Sequence, residues 1–135
     1  MRKSVKKKLI QSAVNIARAN NTPEKHPRYA YYVHFTFIVQ DGTIIAYGMN
    51  RAGRSIYAQL GYPKRALVHS ENDAYKKAKG LLNHKKPFSA INIRLNRMNE
   101  FRAAAPCPCC RSFLKIMGCN KVIFTTNTGF GKEIF

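Results

Sequence analysis

The residues best equipped for chemistry lie in two short stretches, His69-Ser70-Glu71 and Pro106-Cys107-Pro108-Cys109-Cys110. Cys107 and Cys110 are three apart, so on one helical turn both sulfurs face the same way, and the positive end of the helix dipole there favours thiolates. Four cysteines could make two disulfides, yet three of them crowd into residues 107–110 and Cys119 follows closely. That clustering reads as metal ligation in a reducing compartment better than as a disulfide scaffold. His69 and Glu71 add an imidazole and a carboxylate. Taken alone, either would be helix surface or capping, and a lone cysteine pair would be half of a structural zinc ribbon. No second cysteine pair exists to complete a ribbon. Cys109 leaves a second ligand pairing open, Cys119 before an apolar strand reads as a buried thiol, and His26, His34 and His84 read as surface or packing residues.

Elements must bring the two stretches together. Val5, Leu9, Ala13, Ile16 and Ala17 recur at helical spacing from Ser4 to Ala19, and Asn20 to Pro23 stop the pattern. Tyr31 to Val39 and Thr43 to Tyr47 read as two antiparallel strands around an Asp41-Gly42 turn. Gly48 to Val68 reads as a long irregular connection. His69 to Leu82 reads as a helix whose buried side carries Ala74, Tyr75, Ala78, Leu81 and Leu82. Ile91, Ile93 and Leu95 alternate as a strand, and a third helix covers about Cys107 to Met117, with Pro108 in its first turn and Gly118 at its end. Lys121 to Thr126 and Phe130 to Phe135 are the last strands, joined by a turn at Asn127-Thr128-Gly129. The order α, β, β, α, β, α, β with a short last β predicts a mixed sheet covered by helices. Both chemical stretches then fall at helix starts.

At 135 residues, with 45% hydrophobic residues, seven Tyr and eight Phe, the chain has the size of a single domain (1–135) with a real core. The longest apolar runs are a few residues, far short of the roughly 20 needed to cross a bilayer. The basic start from Met1 to Lys8 is followed by no continuous apolar run and no small-residue cleavage site, so a cytoplasmic chain is expected. Twenty-four Lys and Arg against six Asp and Glu give a formal charge of +18. Such a charge attracts polyanions, nucleic acid first and an anionic membrane surface second.

The stretches match H-x-E and P-C-x-x-C, the signature of the zinc nucleobase deaminases. With the helix and strand order, the chain resembles the cytidine and deoxycytidylate deaminase superfamily, which also includes transfer-RNA adenosine deaminases and polynucleotide cytosine deaminases. The resemblance spans nearly the whole chain. It implies a three-layer α/β/α cytidine deaminase-like fold with a central mixed five-stranded sheet. His69, Cys107 and Cys110 would hold Zn²⁺, leaving a fourth position for a water whose pKa the metal lowers toward about 7. Glu71 would be the proton carrier and not a ligand. Asn50, after the second strand, takes the place of a sugar-binding Asn in relatives. Ala105 stands where several relatives have Ser or Glu before the Pro, so substrate class cannot be read there. Nine residues follow Thr126, so an antiparallel hairpin ending is expected, as in free-nucleoside deaminases and some toxin deaminases.

Charge points the other way. Arg51, Arg54, Lys64 and Arg65 interleave with Tyr57 and Tyr62 between Asn50 and His69, a pattern suited to phosphate contacts and base stacking. The leading expectation is a cytosine-to-uracil deaminase acting on single-stranded DNA or RNA. The alternative is a deaminase of free cytidine, deoxycytidine or deoxycytidylate. A transfer-RNA-type adenosine deaminase ranks below both. So does an inactive nucleic-acid-binding protein, which the intact His69, Glu71, Cys107 and Cys110 speak against. No membrane partner is expected, and assembly into a homo-oligomer stays open.

Overall fold

The computed structural model describes residues 3–21, 32–53 and 66–135. Helix α1 spans Lys3–Ala19, β1 Tyr32–Gln40, β2 Thr43–Met49, β3 Arg51–Gly53 and β4 Ala66–Val68. Helix α2 spans Ser70–Ala78, β5 Phe88–Asn96, β6 Phe101–Arg102, α3 Pro108–Ile116, β7 Cys119–Thr125 and β8 Phe130–Ile134. Asp41 and Gly42 both adopt positive φ, 52° and 72°, the geometry of the tight hairpin turns whose twist matches that of the flanking strands.

The main sheet runs β2-β1-β5-β7-β8, with the two-residue β6 paired on β5 as a sixth strand. β5 and β7 are parallel, and the other pairs in this sheet are antiparallel. This is the expected mixed sheet with its terminal hairpin, enlarged by β6. Strand alternation divides the core into two layers. Val33, Phe35, Phe37 and Val39 of β1, with Ile91, Ile93 and Leu95 of β5, pack against Ala13, Val14 and Ala17 of α1. On the opposite face Ile38, Ala90 and Val122 pack with Ala74, Tyr75 and Ala78 of α2 and with Cys110, Phe113 and Leu114 of α3. The result is α/β/α.

Two expectations need correction. Residues 48–68 do not form one irregular stretch, because β3 and β4 pair antiparallel from Arg51↔Val68 to Gly53↔Ala66. Helix α2 ends at Ala78, four residues early; Leu81 lies beyond it and is 68% exposed, while Leu82 turns inward. Among the described residues, no helix is long and apolar enough to cross a membrane.

α2 is seated closely on β2. The Met49 N–H donates to Asp73 Oδ2 at 3.1 Å, and a Cβ added at Gly48 would overlap Ala74 N and lie 2.7 Å from the Asp73 carbonyl carbon. Backbone cannot yield as a side-chain tip does. Gly48→Ala is therefore expected to cost about 2–3 kcal/mol, a Tm fall of roughly 10 °C readable by calorimetry. An unchanged Tm would show that this seat is loose.

Candidate active site

Each chemical stretch sits at a helix start for a local reason. His69 is the N-cap of α2, with an extended backbone, and its carbonyl accepts the first helical bond from Asp73 N–H at 3.1 Å. Glu71 and Asp73 occupy the first turn, where the helix dipole favours negative charge. Cys107 is the N-cap of α3, its Sγ accepting from the Cys110 N–H at 3.4 Å, and Pro108 fills the first turn without wasting a donor. The approach to Cys107 is tied to the sheet. Ala104 N–H donates to Thr125 O, and Thr125 Oγ1 donates to Arg102 O at 2.7 Å. From the other side, Arg111 makes a two-point ion pair with Glu133 of β8, Nε to Oε1 at 2.6 Å and Nη2 to Oε2 at 3.0 Å.

These elements bring His69, Cys107 and Cys110 together, their Nδ1 and two Sγ atoms all within 4.8 Å of one another. His69 Nδ1 lies 3.2 Å from Cys110 Sγ and 3.8 Å from Cys107 Sγ. Zinc bond lengths in a tetrahedral site place such donors roughly 3.6–3.8 Å apart. One imidazole and two thiols are also a donor set that zinc prefers, so the residues fit the ion.

Without metal the three groups hold one another. Hydrogen bonds from Cys110 and then His69 pull the Cys107 thiol down to about 3 against the opposing effect of burial. The bond to Cys107 pushes the His69 imidazole above its ordinary value. Cys119 is the opposite case: 4% exposed, and pushed up by burial to about 12. It follows that iodoacetamide at pH 6 labels Cys107 in metal-free protein, spares Cys119, and is blocked at Cys107 by added zinc. Peptide mass mapping reads this, and equal labelling of the two would contradict the assignment.

Glu71 is 1% exposed. Its Oε1 accepts from Ser70 Oγ at 3.1 Å and its Oε2 from Asn92 Nδ2 at 3.1 Å. Thr36 Oγ1 lies 2.8 Å from Ser70 Oγ and donates to Asn92 Oδ1 at 2.8 Å. Sequence reasoning passes over Thr36 and Asn92. The signal that could have found them is a polar residue at an inward register, Asn92 between Ile91 and Ile93 and Thr36 between Phe35 and Phe37. Asn50 follows β2, and its Oδ1 accepts from the His34 N–H at 2.9 Å. His34 reads from sequence as surface or packing; its Nε2 is buried with no hydrogen-bond partner among the described residues, and burial lowers its pKa. Arg51 opens β3. Arg54, Tyr57, Tyr62, Lys64 and Arg65 lie outside the described residues, as does His26.

No family model matches the chain, and no curated protein matches it by sequence. Solved structures do. The dCMP deaminase from the cyanophage S-TIM5 superposes in apo form with a TM-score of 0.56 at 16% identity, over 92% of this chain and 84% of that one. Its complex with dCMP and dUMP gives 0.58 at 17%, over 92% and 82%. The cytidine deaminase from Mycobacterium leprae gives 0.55 at 20%, over 90% and 88%. At such identities the likeness concerns the fold. The chain has the cytidine deaminase-like fold, and its His69, Cys107 and Cys110 donors form a group that fits a zinc ion.

Proposed function

We propose that this protein is a zinc-dependent hydrolase that deaminates cytosine to uracil in single-stranded DNA or RNA. The observation that carries the reaction class is the gathering of three zinc-suited donors at the starts of α2 and α3, with the buried Glu71 two residues from His69. Bound zinc supplies an acidified water and a counter-charge for the two thiolates. Glu71 takes a proton from the water as its oxygen attacks C4 of the ring, and delivers that proton to the adjacent ring nitrogen. It then passes the second proton to the departing amino group, so cytosine and water become uracil and ammonia. Asn50 orients the nucleoside: its Oδ1 accepts from His34 N–H, and its amide N–H groups, which have no partner among the described residues, would donate to a sugar hydroxyl.

The polynucleotide substrate is supported by the +18 charge and by the basic, tyrosine-bearing stretch of residues 51–65. Arg51, Arg54, Lys64 and Arg65 would contact phosphates, and Tyr57 and Tyr62 would stack on bases. Deaminases of free cytidine, deoxycytidine or deoxycytidylate are the second reading, favoured by the antiparallel pairing of β7 with β8 and by the likeness to dCMP and cytidine deaminases.

Salt separates the two. Single-strand affinity is expected to fall steeply with ionic strength, because each neutralised phosphate releases counterion with a log-log slope of about 0.7. Neutralising Arg51, Arg54, Lys64 and Arg65 together lowers that slope by about 0.7 for each phosphate that is no longer paired with a cation. Tyr57→Ala or Tyr62→Ala costs about 1–3 kcal/mol of binding. Weak oligonucleotide binding at low salt, with efficient turnover of free cytidine or deoxycytidylate, selects the second reading.

A further inference from the structure

Asn92 sits in the middle of β5, fully buried, on the sheet face that carries α2 and α3. Both of its polar atoms have partners, and both amide protons are used. Oδ1 accepts the hydroxyl proton of Thr36, and the two Nδ2 protons go to Glu71 Oε2 at 3.1 Å and Ala104 O at 3.2 Å. The amide cannot flip, because the reverse orientation would set its oxygen against a carboxylate oxygen and a carbonyl oxygen. The constraint extends outward. Since the Thr36 proton is spent on Asn92, the Ser70 hydroxyl has one proton for two acceptors, Thr36 Oγ1 and Glu71 Oε1. Each oxygen of Glu71 thus faces a donor, Ser70 on one side and Asn92 on the other.

One side chain therefore joins three parts of the molecule: β1 through Thr36, the carboxylate of α2, and the segment that enters the cysteine motif three residues later. We infer that Asn92, backed by Thr36, is the positioning residue that fixes the Glu71 carboxylate relative to Cys107 and Cys110. This rests on the deaminase reading, in which Glu71 must stand at a set distance from the water that a zinc ion held by His69, Cys107 and Cys110 would supply. Proximity gives that placement its value, since an error of about 1 Å can cost about 10²-fold in rate.

The test compares zinc-loaded wild type, Asn92→Asp and Thr36→Val. Asn92→Asp keeps the shape and the Thr36 acceptor, but turns the donor toward Oε2 into an acceptor. We expect kcat to fall about 10²-fold in Asn92→Asp, with KM within about twofold and about one zinc per chain. Thr36→Val, which frees Asn92 Oδ1 and keeps the side-chain volume, gives a smaller fall and decides the matter if Asn92→Asp does not fold. A second readout is independent of turnover. In protein carrying ¹³C-labelled Glu, only four carboxyl signals arise; the Glu71 signal, assigned by its loss in Glu71→Gln, should move in both variants. Wild-type kcat and an unmoved Glu71 signal in both variants overturn the inference. An activity loss that merely tracks zinc content or folded fraction does so as well. If wild type itself deaminates no cytosine substrate while the Glu71 signal still answers to Asn92, the reaction assignment fails and the positioning contact stands.

Discussion

Replacing Glu71 by Gln or Ala is expected to lower deamination by about 10²–10⁴-fold, the usual share of a positioned proton carrier, while about one zinc per chain stays bound. The donor group consists of His69, Cys107 and Cys110 without Glu71, so removing the carboxylate leaves the metal ligands intact. Gln has nearly the same shape but cannot accept and return a proton. It would also turn an amide toward the donors Ser70 and Asn92, which now meet a carboxylate at 3.1 Å. Metal analysis beside a turnover assay separates the two roles. Retained turnover in either variant, or loss of zinc in both, would contradict the role given to Glu71.

The second large effect concerns the metal. A Cys107→Ala, Cys110→Ala double variant is expected to fall from about one zinc per chain to none, because one imidazole cannot hold the ion alone. Stability should fall with it. Cys107 Sγ caps α3 through Cys110 N–H, Cys110 is part of the core beneath α2 and α3, and the binding energy of zinc is lost as well. Cys109→Ala should keep its zinc, since Cys109 lies outside the donor group. Full occupancy in the double variant, measured by atomic emission, would refute the ligand assignment.

Local signals carried the elements and the donors. The spacing of Leu9, Ala13, Ile16 and Ala17 marks α1, Asp41-Gly42 marks the hairpin, and Pro108 and Gly118 bracket α3. All of these act within a few residues, and the structure places α1, the hairpin and α3 within a residue or two of those readings. Tertiary pairings left little trace. β3 and β4 are three residues each and meet across a separation of 12 residues or more, too short for a hydrophobic period to show. Leu81 keeps the helical spacing of α2 but falls after its end, a boundary that periodicity alone does not mark. The Thr36, Ser70 and Asn92 contacts join residues as far as 56 apart. From sequence, only the oddity of polar residues among Phe and Ile on inward strands hinted at them.

The most direct test of the deaminase activity is to incubate zinc-loaded protein with cytosine-containing single-stranded DNA and RNA, and in parallel with cytidine, deoxycytidine and deoxycytidylate. Mass spectrometry then follows the replacement of the amino group by oxygen. Cytosine-to-uracil conversion is expected in the oligonucleotides, faster than in the free nucleosides and nucleotide, and absent in Glu71→Gln. No conversion in any cytosine substrate by fully zinc-loaded protein would contradict it.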